Sequence, residues 1–178
     1  MLTYARLATA AQNGWIDLSS PPAVKELDDY LADQWVDDYD RQRHGGDLVV
    51  VGQTGFQYLF DVARGRLIAA WGLSQGRDPH VRDRSRMAGH PLGGPAGYHR
   101  GHAIPHTLGG GTDINLVAQK GSVNIGPFRD LEHKAVATPS ALYFTYWTYV
   151  DANAQRPSAV QQGFLRPGGL LELRNLPN

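Results

Sequence analysis

Hydrophobic residues recur along the chain with two different periods. In residues 20–40, Val24, Leu27, Leu31 and Trp35 are spaced three or four positions apart, which is the spacing of one face of an α-helix. Ser20 and Pro21 precede this run and suit the N-terminus of a helix. The pattern predicts an amphipathic helix whose other face is acidic and solvated.

The hydrophobic positions that follow the glycines at 45–46 fall in short runs rich in β-branched and aromatic residues. The runs DLVVVGQ, FQYLFDV and LIAAWGL are separated by turns that contain glycine, and they predict three antiparallel strands. Residues 141–150, ALYFTYWTYV, are apolar at both alternating sets of positions, which is typical of a central strand covered on both faces. The later segment FLRPGGLLELRN predicts a final hairpin.

One further helix is predicted between these strands. Residues 123–137, VNIGPFRDLEHKAVA, can form a helix that begins near Asn124, because Pro127 is tolerated only in the first turn. The predicted fold class is α+β, an antiparallel sheet with one site-bearing helix and an acidic N-terminal helix. The pattern divides the chain into residues 1–45, a helical segment that is either accessory or part of the core, and residues 46–178, the main domain.

Composition indicates one globular domain and excludes several classes of protein. The chain has 178 residues, 42% of them hydrophobic and 19% charged, as in ordinary globular proteins. It contains no cysteine, which excludes a disulfide framework and a thiolate metal site. No apolar run approaches the roughly 18 residues of a membrane span, and we identify no signal peptide at the N-terminus. The compartment stays open, with secretion or delivery by a secretion system as one expectation.

Charge is divided unevenly although the formal net charge is zero. Residues 1–61 hold 4 of the 17 basic and 10 of the 17 acidic residues, so the remainder is basic. Such asymmetry favours a surface that faces nucleic acid, although chance segregation would give the same count. The long loop at residues 72–98 is rich in glycine, proline and arginine, and long loops are often functional. We expect at least one of its arginines to contact phosphate: Arg77, Arg82, Arg84 and Arg86.

Candidate chemistry is concentrated in residues 98–124, YHRGHAIPHTLGGGTDINLVAQKGSVN. The spacing of His99, His102 and His106 could suit zinc, but Pro105 disfavours a helix there and no fourth ligand is evident. A single histidine that acts as a general base is the competing interpretation.

The asparagines suggest a hard cation. Mg²⁺ takes oxygen ligands and keeps several waters, so one amide oxygen and substrate phosphate oxygens can suffice. A metal, a histidine and an arginine are enough for phosphodiester cleavage. Glu132 follows Asn124 by eight residues, about 80° around an ideal helix, and could hold a water there. Taken singly, Asn115 could be a turn residue, Asn124 a helix cap and Glu132 a surface charge.

Taken together, HRGH, NLVAQ and VNIGPFRDLE resemble the site segment of the ββα-metal (His-Me finger) DNA/RNA non-specific endonucleases. That family has DRGH, then an Asn with a Gln four residues on, then an Asn with a Glu eight residues on. The glycine-rich linker is also similar to nuclease domains of bacterial polymorphic toxins. The resemblance implies a ββα-metal nuclease domain over residues 46–178.

The resemblance also implies a role for each matching residue. His102 takes the place of the general base, Arg100 that of the arginine in the motif, and Asn124 that of the single protein ligand to Mg²⁺, for which Mn²⁺ can substitute. Glu132 takes the place of the acid that orients metal-bound water. Asn115 and Gln119 match the supporting pair, so the expected catalytic set is His102, Arg100, Glu132 and Asn115, with Arg129 and the loop arginines as further substrate contacts.

The implied function is cleavage of DNA, RNA or both through backbone contacts that carry no sequence information. A toxin module would also imply an inhibitory immunity protein. The departure from the family lies at His99, where the family usually has Asp. A catalytically degenerate fold that binds nucleic acid or protein, and a zinc-dependent or HNH-type hydrolase using His99, His102 and His106, are the alternatives.

Overall fold

A computed structural model describes residues 1–42, 45–80, 85 and 94–178. Arg82, Arg84 and Arg86, three of the four loop arginines of which at least one is expected to contact phosphate, lie outside the described residues. The helices in the described ranges are α1 (Ala5–Gln12), α2 (Pro21–Arg41), α3 (Gly121–Ile125) and α4 (Phe128–Ala137). The strands there are β1 (Leu48–Gln53), β2 (Phe56–Asp61), β3 (Arg66–Leu73), β4 (Tyr98–His102), β5 (Leu116–Lys120), β6 (Leu142–Thr148), β7 (Ala159–Leu165) and β8 (Leu171–Pro177).

The structure confirms the α+β class. Six strands form one antiparallel sheet in the order β1-β2-β3-β6-β7-β8, and β4 pairs with β5 in a separate two-stranded ribbon. The three strands predicted after residue 45 and the final hairpin occur where the pattern indicated. The ribbon, α3 and α4 are inserted in the connection between β3 and β6.

Strand β6 is central and is covered on both faces, as its continuous apolar pattern predicted. Phe144 and Tyr146 point to one face, where they contact Trp35 of α2 at ring-centroid distances of 5.7 and 6.1 Å. Trp147 points to the other face, where its ring lies 6.0 Å from that of Phe128 in α4. The sheet therefore separates two layers, with α2 on one side and α4 on the other.

Helix α2 is attached to the sheet by its polar residues as well as its apolar ones. Trp71 donates its indole N–H to Asp28 at 2.8 Å, and the hydroxyl of Tyr146 donates to Asp38 at 2.7 Å. The expectation of a wholly solvated acidic face was therefore wrong for these two carboxylates. Burial raises the pKa of Asp28, although the bond from Trp71 opposes that effect. The exposed acids include Asp29, Asp33, Asp37 and Asp40.

The N-terminal helices contribute side chains to the same hydrophobic core as the sheet. Tyr4, Trp35 and Tyr39 are buried, and Trp35 donates to the hydroxyl of Tyr4 at 2.8 Å. A division of the chain at residue 45 stays a prediction, but residues 5–41 cover aromatic side chains that would otherwise face water.

The single helix predicted over residues 123–137 was wrong. The structure has α3, which ends at Ile125, and α4, which begins at Phe128. Pro127 has no N–H to donate and disfavours helical geometry at the residue before it, and Gly126 adopts φ −99° and ψ −115°, outside the helical region. The angle of about 80° between Asn124 and Glu132 assumed a continuous helix, so it does not describe their relation.

Within the described ranges, none of the helices has the length and apolar character that a membrane span requires.

Replacing Trp35 with alanine should destabilise the protein by about 3–5 kcal/mol, because it empties a fully buried site between α2 and β6. Chemical denaturation followed by far-UV circular dichroism would measure the change. Asp33→Ala, an exposed position on the same helix, is the control and should change the free energy of unfolding little. A Trp35→Ala protein as stable as the control would show that the N-terminal helices do not support the sheet.

Candidate active site

The β4–β5 ribbon carries the HRGH motif in a defined register. His99 pairs with Gln119, Arg100 with Ala118, and His102 with Leu116. Because side chains alternate along a strand, Arg100 and His102 share one face of the ribbon and His99 lies on the other. His102 is the last residue of β4 and is 5% exposed, so its ring is held in place by packing.

Gly101 and Gln119 pack so closely that position 101 has no room for a side chain. Gln119 is fully buried, and a Cβ at Gly101 would overlap its Oε1 atom and stand 2.6 Å from its Cβ. Position 101 therefore accepts only glycine without moving Gln119. Gln119 packs within the ribbon and does not line the cleft described below.

Asn115 holds together the loop that follows His102. Its Oδ1 accepts the backbone N–H of Ile104 at 2.7 Å, and its Nδ2 donates to the carbonyls of Ile104 and Gly111 at 2.8 Å each. The side chain is fully buried, so it cannot touch a substrate. The expected catalytic set included Asn115, but the geometry makes it a positioning residue for the loop and for His102.

Asn124 and Glu132 reach the same cleft from two helices. Asn124 is the fourth residue of α3, and Glu132 lies in the second turn of α4. The Nδ2 atom of Asn124 lies 3.4 Å from Nδ1 of His99. If Nδ2 donates to that ring nitrogen, Oδ1 is the amide atom that can bind a cation. An amide oxygen and a carboxylate that line one cleft are ligand types that Mg²⁺ accepts, so the residues present fit the implied metal.

The cleft has a volume of about 640 Å³, within the range of small-ligand sites. It is lined by residues of the ribbon, the loop that follows β4, the segment after β3, α3 and α4: Arg77, Arg100, His102, Pro105, His106, Thr107, Asn124, Arg129, Glu132, His133, Val136 and Ala137. Three arginines and three histidines accompany one carboxylate in this set. The lining therefore favours a polyanionic ligand.

Helix α4 is anchored to the sheet by buried polar residues. Gln162 of β7 donates through Nε2 to the carbonyl of Phe128 and to the hydroxyl of Tyr143, each at 2.8 Å. Burial raises the pKa of Tyr143 well above its usual value, and the nearby charge of Glu132 raises it further. The hydroxyl of Tyr143, which is near the carboxylate of Glu132, therefore stays protonated. On the solvent side, Arg174 donates to Asp130 at 2.8 Å.

The structure brings together most of the predicted site residues. Arg77, Arg100, His102, Asn124, Arg129 and Glu132 line one cleft. His99 does not line the cleft but contacts Asn124, which does, whereas Asn115 and Gln119 are buried and do not line it.

Sequence reasoning did not identify His133, and it considered His106 only as a zinc ligand. The signal for His133 was available, because it lies four residues after Arg129 on a predicted helix and so shares its face.

The zinc interpretation finds no support in the described ranges. No group of three His, Asp or Glu side chains there is arranged to hold a metal ion. His102 and His106 are neighbours, with ring centroids 6.1 Å apart, but alternation along β4 directs His99 away from them.

Comparisons with known proteins give structural matches only. No protein-family model matches the chain, and no curated protein matches it by sequence. Among solved structures, NucA from Streptococcus agalactiae with a magnesium ion bound is 17% identical, with a TM-score of 0.52, over 79% of this chain and 90% of that one. The same protein without metal is 15% identical, with a TM-score of 0.50, over 79% and 88% of the two chains.

A third match is EndoG in its complex with EndoGI, a structure that concerns the mechanism of EndoG inhibition. It is 16% identical, with a TM-score of 0.51, and 79% of each chain is covered. These matches show that the chain shares its fold, the ββα-metal fold, with NucA and EndoG. In this chain, β4 and β5 are the two strands of that fold, and α3 and α4 form a helical part that is interrupted at Gly126–Pro127.

Replacing Asn115 with alanine should lower the free energy of unfolding by about 1–3 kcal/mol, because the N–H and C=O of Ile104 lose their buried partners. Thermal or denaturant unfolding would measure it. Asn153→Ala, an exposed asparagine in a loop, is the matched control. Equal stability of the two variants would show that the bonds of Asn115 do not hold the loop.

Proposed function

We propose that this protein is a metal-dependent endonuclease that hydrolyses phosphodiester bonds of DNA, RNA or both, without base-sequence specificity. The observation that carries the proposal is the convergence of His102, Asn124 and Glu132 in one cleft lined by arginines. The ββα-metal fold shared with NucA and EndoG supports it, since both neighbours are nucleases.

Each residue then has a distinct task. Neutral His102 removes a proton from the water that attacks phosphorus, so that a bond from that water oxygen to phosphorus forms while the bond to the 3′ oxygen breaks. Arg100 and Arg129 stabilise the charge on the phosphoryl oxygens as it increases. Glu132 orients the water that returns a proton to the leaving 3′ oxygen. Asn124 would hold Mg²⁺ or Mn²⁺, and the bound cation supplies Lewis-acid stabilisation of the same phosphoryl charge.

The arrangement of the site also bears on specificity. The described lining is dominated by cationic and hydrogen-bonding side chains that suit phosphate oxygens, and phosphate contacts carry no sequence information. Substrate affinity should accordingly fall with rising salt. An inhibitory protein partner is a further proposal, motivated by the inhibited EndoG complex. The toxin role and the compartment stay predictions from the sequence.

Changing His102 to alanine should lower the cleavage rate by about 10²-fold or more, because the attacking water loses its base. Supercoiled plasmid and total RNA would be incubated with the wild type and the variant, with Mg²⁺ and with EDTA. His80→Ala is the matched control, since His80 is an exposed imidazole that does not line the cleft.

Three results of that experiment separate the functions. Magnesium-dependent cleavage that is lost in His102→Ala supports the nuclease. Cleavage that the variant retains refutes His102 as the base. Absence of cleavage with every divalent metal, together with retained binding of nucleic acid, would indicate the degenerate binding module instead.

His99→Asp restores the residue usual in the family and should lower the Mg²⁺ concentration needed for half-maximal cleavage, because a carboxylate adds negative charge beside Asn124. A Mg²⁺ titration of plasmid cleavage would measure this. Ser122→Asp adds the same charge at an exposed position of α3 and serves as the control. A requirement that is unchanged in His99→Asp, or lowered equally by Ser122→Asp, would refute a specific role for position 99.

A further inference from the structure

The cleft extends beyond the residues that the proposed reaction uses. His102, Asn124, Glu132, Arg100 and Arg129 account for the chemistry. A second set of polar side chains lines the same space without an assigned role: Arg77, His106, Thr107 and His133. We call these four residues the distal subsite.

The residues of the distal subsite are of the same cationic and hydrogen-bonding kinds as those of the reaction centre. On each wall of the cleft, a histidine of the distal subsite lies near a residue of the reaction centre. On the wall formed by the loop after β4, the rings of His102 and His106 are 6.1 Å apart. On the wall formed by α4, His133 follows Arg129 by four residues, about one turn or 6 Å along the axis. On each wall, therefore, a histidine of the distal subsite is about 6 Å from a residue of the reaction centre.

That distance suits the repeat of a single nucleic-acid strand. Stacked nucleotides rise by about 3.4 Å per strand residue, and an unstacked strand is more extended, so a step of about 6 Å matches one nucleotide. Imidazole N–H groups, a hydroxyl and a guanidinium all donate hydrogen bonds to phosphate oxygens. The described residues thus offer donors for a second phosphate next to the scissile one.

Backbone hydrogen bonds hold the distal subsite in place. The turn at His106–Leu108 is closed by Leu108 N–H to the carbonyl of Pro105 and by Gly109 N–H to that of His106, each at 2.9 Å. The N–H of Asp78 donates to the carbonyl of Thr107 at 2.8 Å, which fixes the segment containing Arg77 beside this turn.

Among the described residues, the carboxylates of Asp78 and Glu132 lie near the distal subsite. Asp78 is near His106, but its carboxylate accepts the backbone N–H of His80 at 2.9 Å and is paired with the ring of His80 at 2.5 Å. These contacts hold the pKa of Asp78 below its usual value. Glu132 is the other carboxylate and belongs to the reaction centre. Arg77, Arg100 and Arg129 also line the cleft, so positive side chains outnumber these two carboxylates and the balance of charge favours an anion.

We infer that His106 and His133, with Arg77 and Thr107, form a second phosphate-binding subsite that takes the phosphate adjacent to the scissile one. This inference rests on the proposed nuclease function. It predicts that the protein contacts at least two successive phosphates of a polynucleotide. It also predicts that His106 and His133 contribute to substrate affinity and not to the chemical step.

The double variant His106→Ala/His133→Ala tests the inference with two readouts. Binding of a fluorescein-labelled single-stranded oligothymidylate is measured by anisotropy in EDTA, where no cleavage is expected. Cleavage with Mg²⁺ is measured on the same oligonucleotide and on bis(p-nitrophenyl) phosphate, which has only one phosphate. We expect the oligonucleotide to bind about tenfold more weakly or worse, with KM raised by the same factor, while kcat on it and turnover of the single-phosphate ester stay unchanged.

A charge-adding variant gives an independent test that does not depend on loss of function. His133→Arg places a guanidinium at the same helix position and should tighten oligonucleotide binding and steepen its log–log salt dependence by about 0.7 for the added contact. Asn153→Arg adds the same charge at an exposed position outside the cleft lining and is the control. Equal effects of the two arginines would refute a subsite at His133.

The outcomes also separate this inference from the proposed function. If the wild type binds and cleaves the oligonucleotide and the double variant does so equally well, the subsite is refuted and the nuclease stands. Equal losses of cleavage activity on the oligonucleotide and on the single-phosphate ester would show that the two histidines act in the chemical step, and would refute the subsite. If the wild type neither binds nor cleaves nucleic acid, the proposed function itself fails.

Discussion

Burial of strand β6 on both faces is the constraint on which the rest of the structure depends. One face of the strand meets Trp35 of α2 through Phe144 and Tyr146, and the other meets Phe128 of α4 through Trp147. A strand that must be covered twice needs a helical layer on each side of the sheet. The acidic N-terminal helix supplies one layer and the site-bearing helix supplies the other.

This layering explains how a chain without net charge can present a cationic cleft. The exposed acids of α2 lie on the side of the sheet that packs against Trp35, whereas the cleft is built from α3, α4 and the ribbon on the opposite side. The sheet thus lies between the exposed acids of α2 and the arginines of the cleft. A polyanion that approaches the protein would be repelled on one side and attracted on the other, which orients it toward the cleft.

The cleft is made from short elements that have little stability of their own, so its geometry depends on buried polar contacts. A two-stranded ribbon and a five-residue helix are marginal in isolation. Asn115 closes the loop after His102 through three bonds to backbone groups, and Gln162 ties the start of α4 to Tyr143 and β7. These side chains touch no substrate, but they define where His102 and Glu132 stand.

The sequence by itself determined the elements whose residues follow a clear local period. The helical spacing of α2, the β-branched and aromatic runs of β1 to β3, the continuous apolar run of β6 and the glycine-containing turn of the last hairpin each identified an element correctly, because burial and turn geometry impose those patterns. The motif residues also indicated a histidine, two asparagines and a glutamate that belong near one another. Only the tertiary structure decided that the predicted helix breaks at Gly126–Pro127, that Asp28 and Asp38 bind the sheet, that Asn115 is buried behind the cleft, and that His106 and His133 extend it. These features depend on contacts between residues far apart in the chain, and a local pattern carries no information on which distant groups will meet.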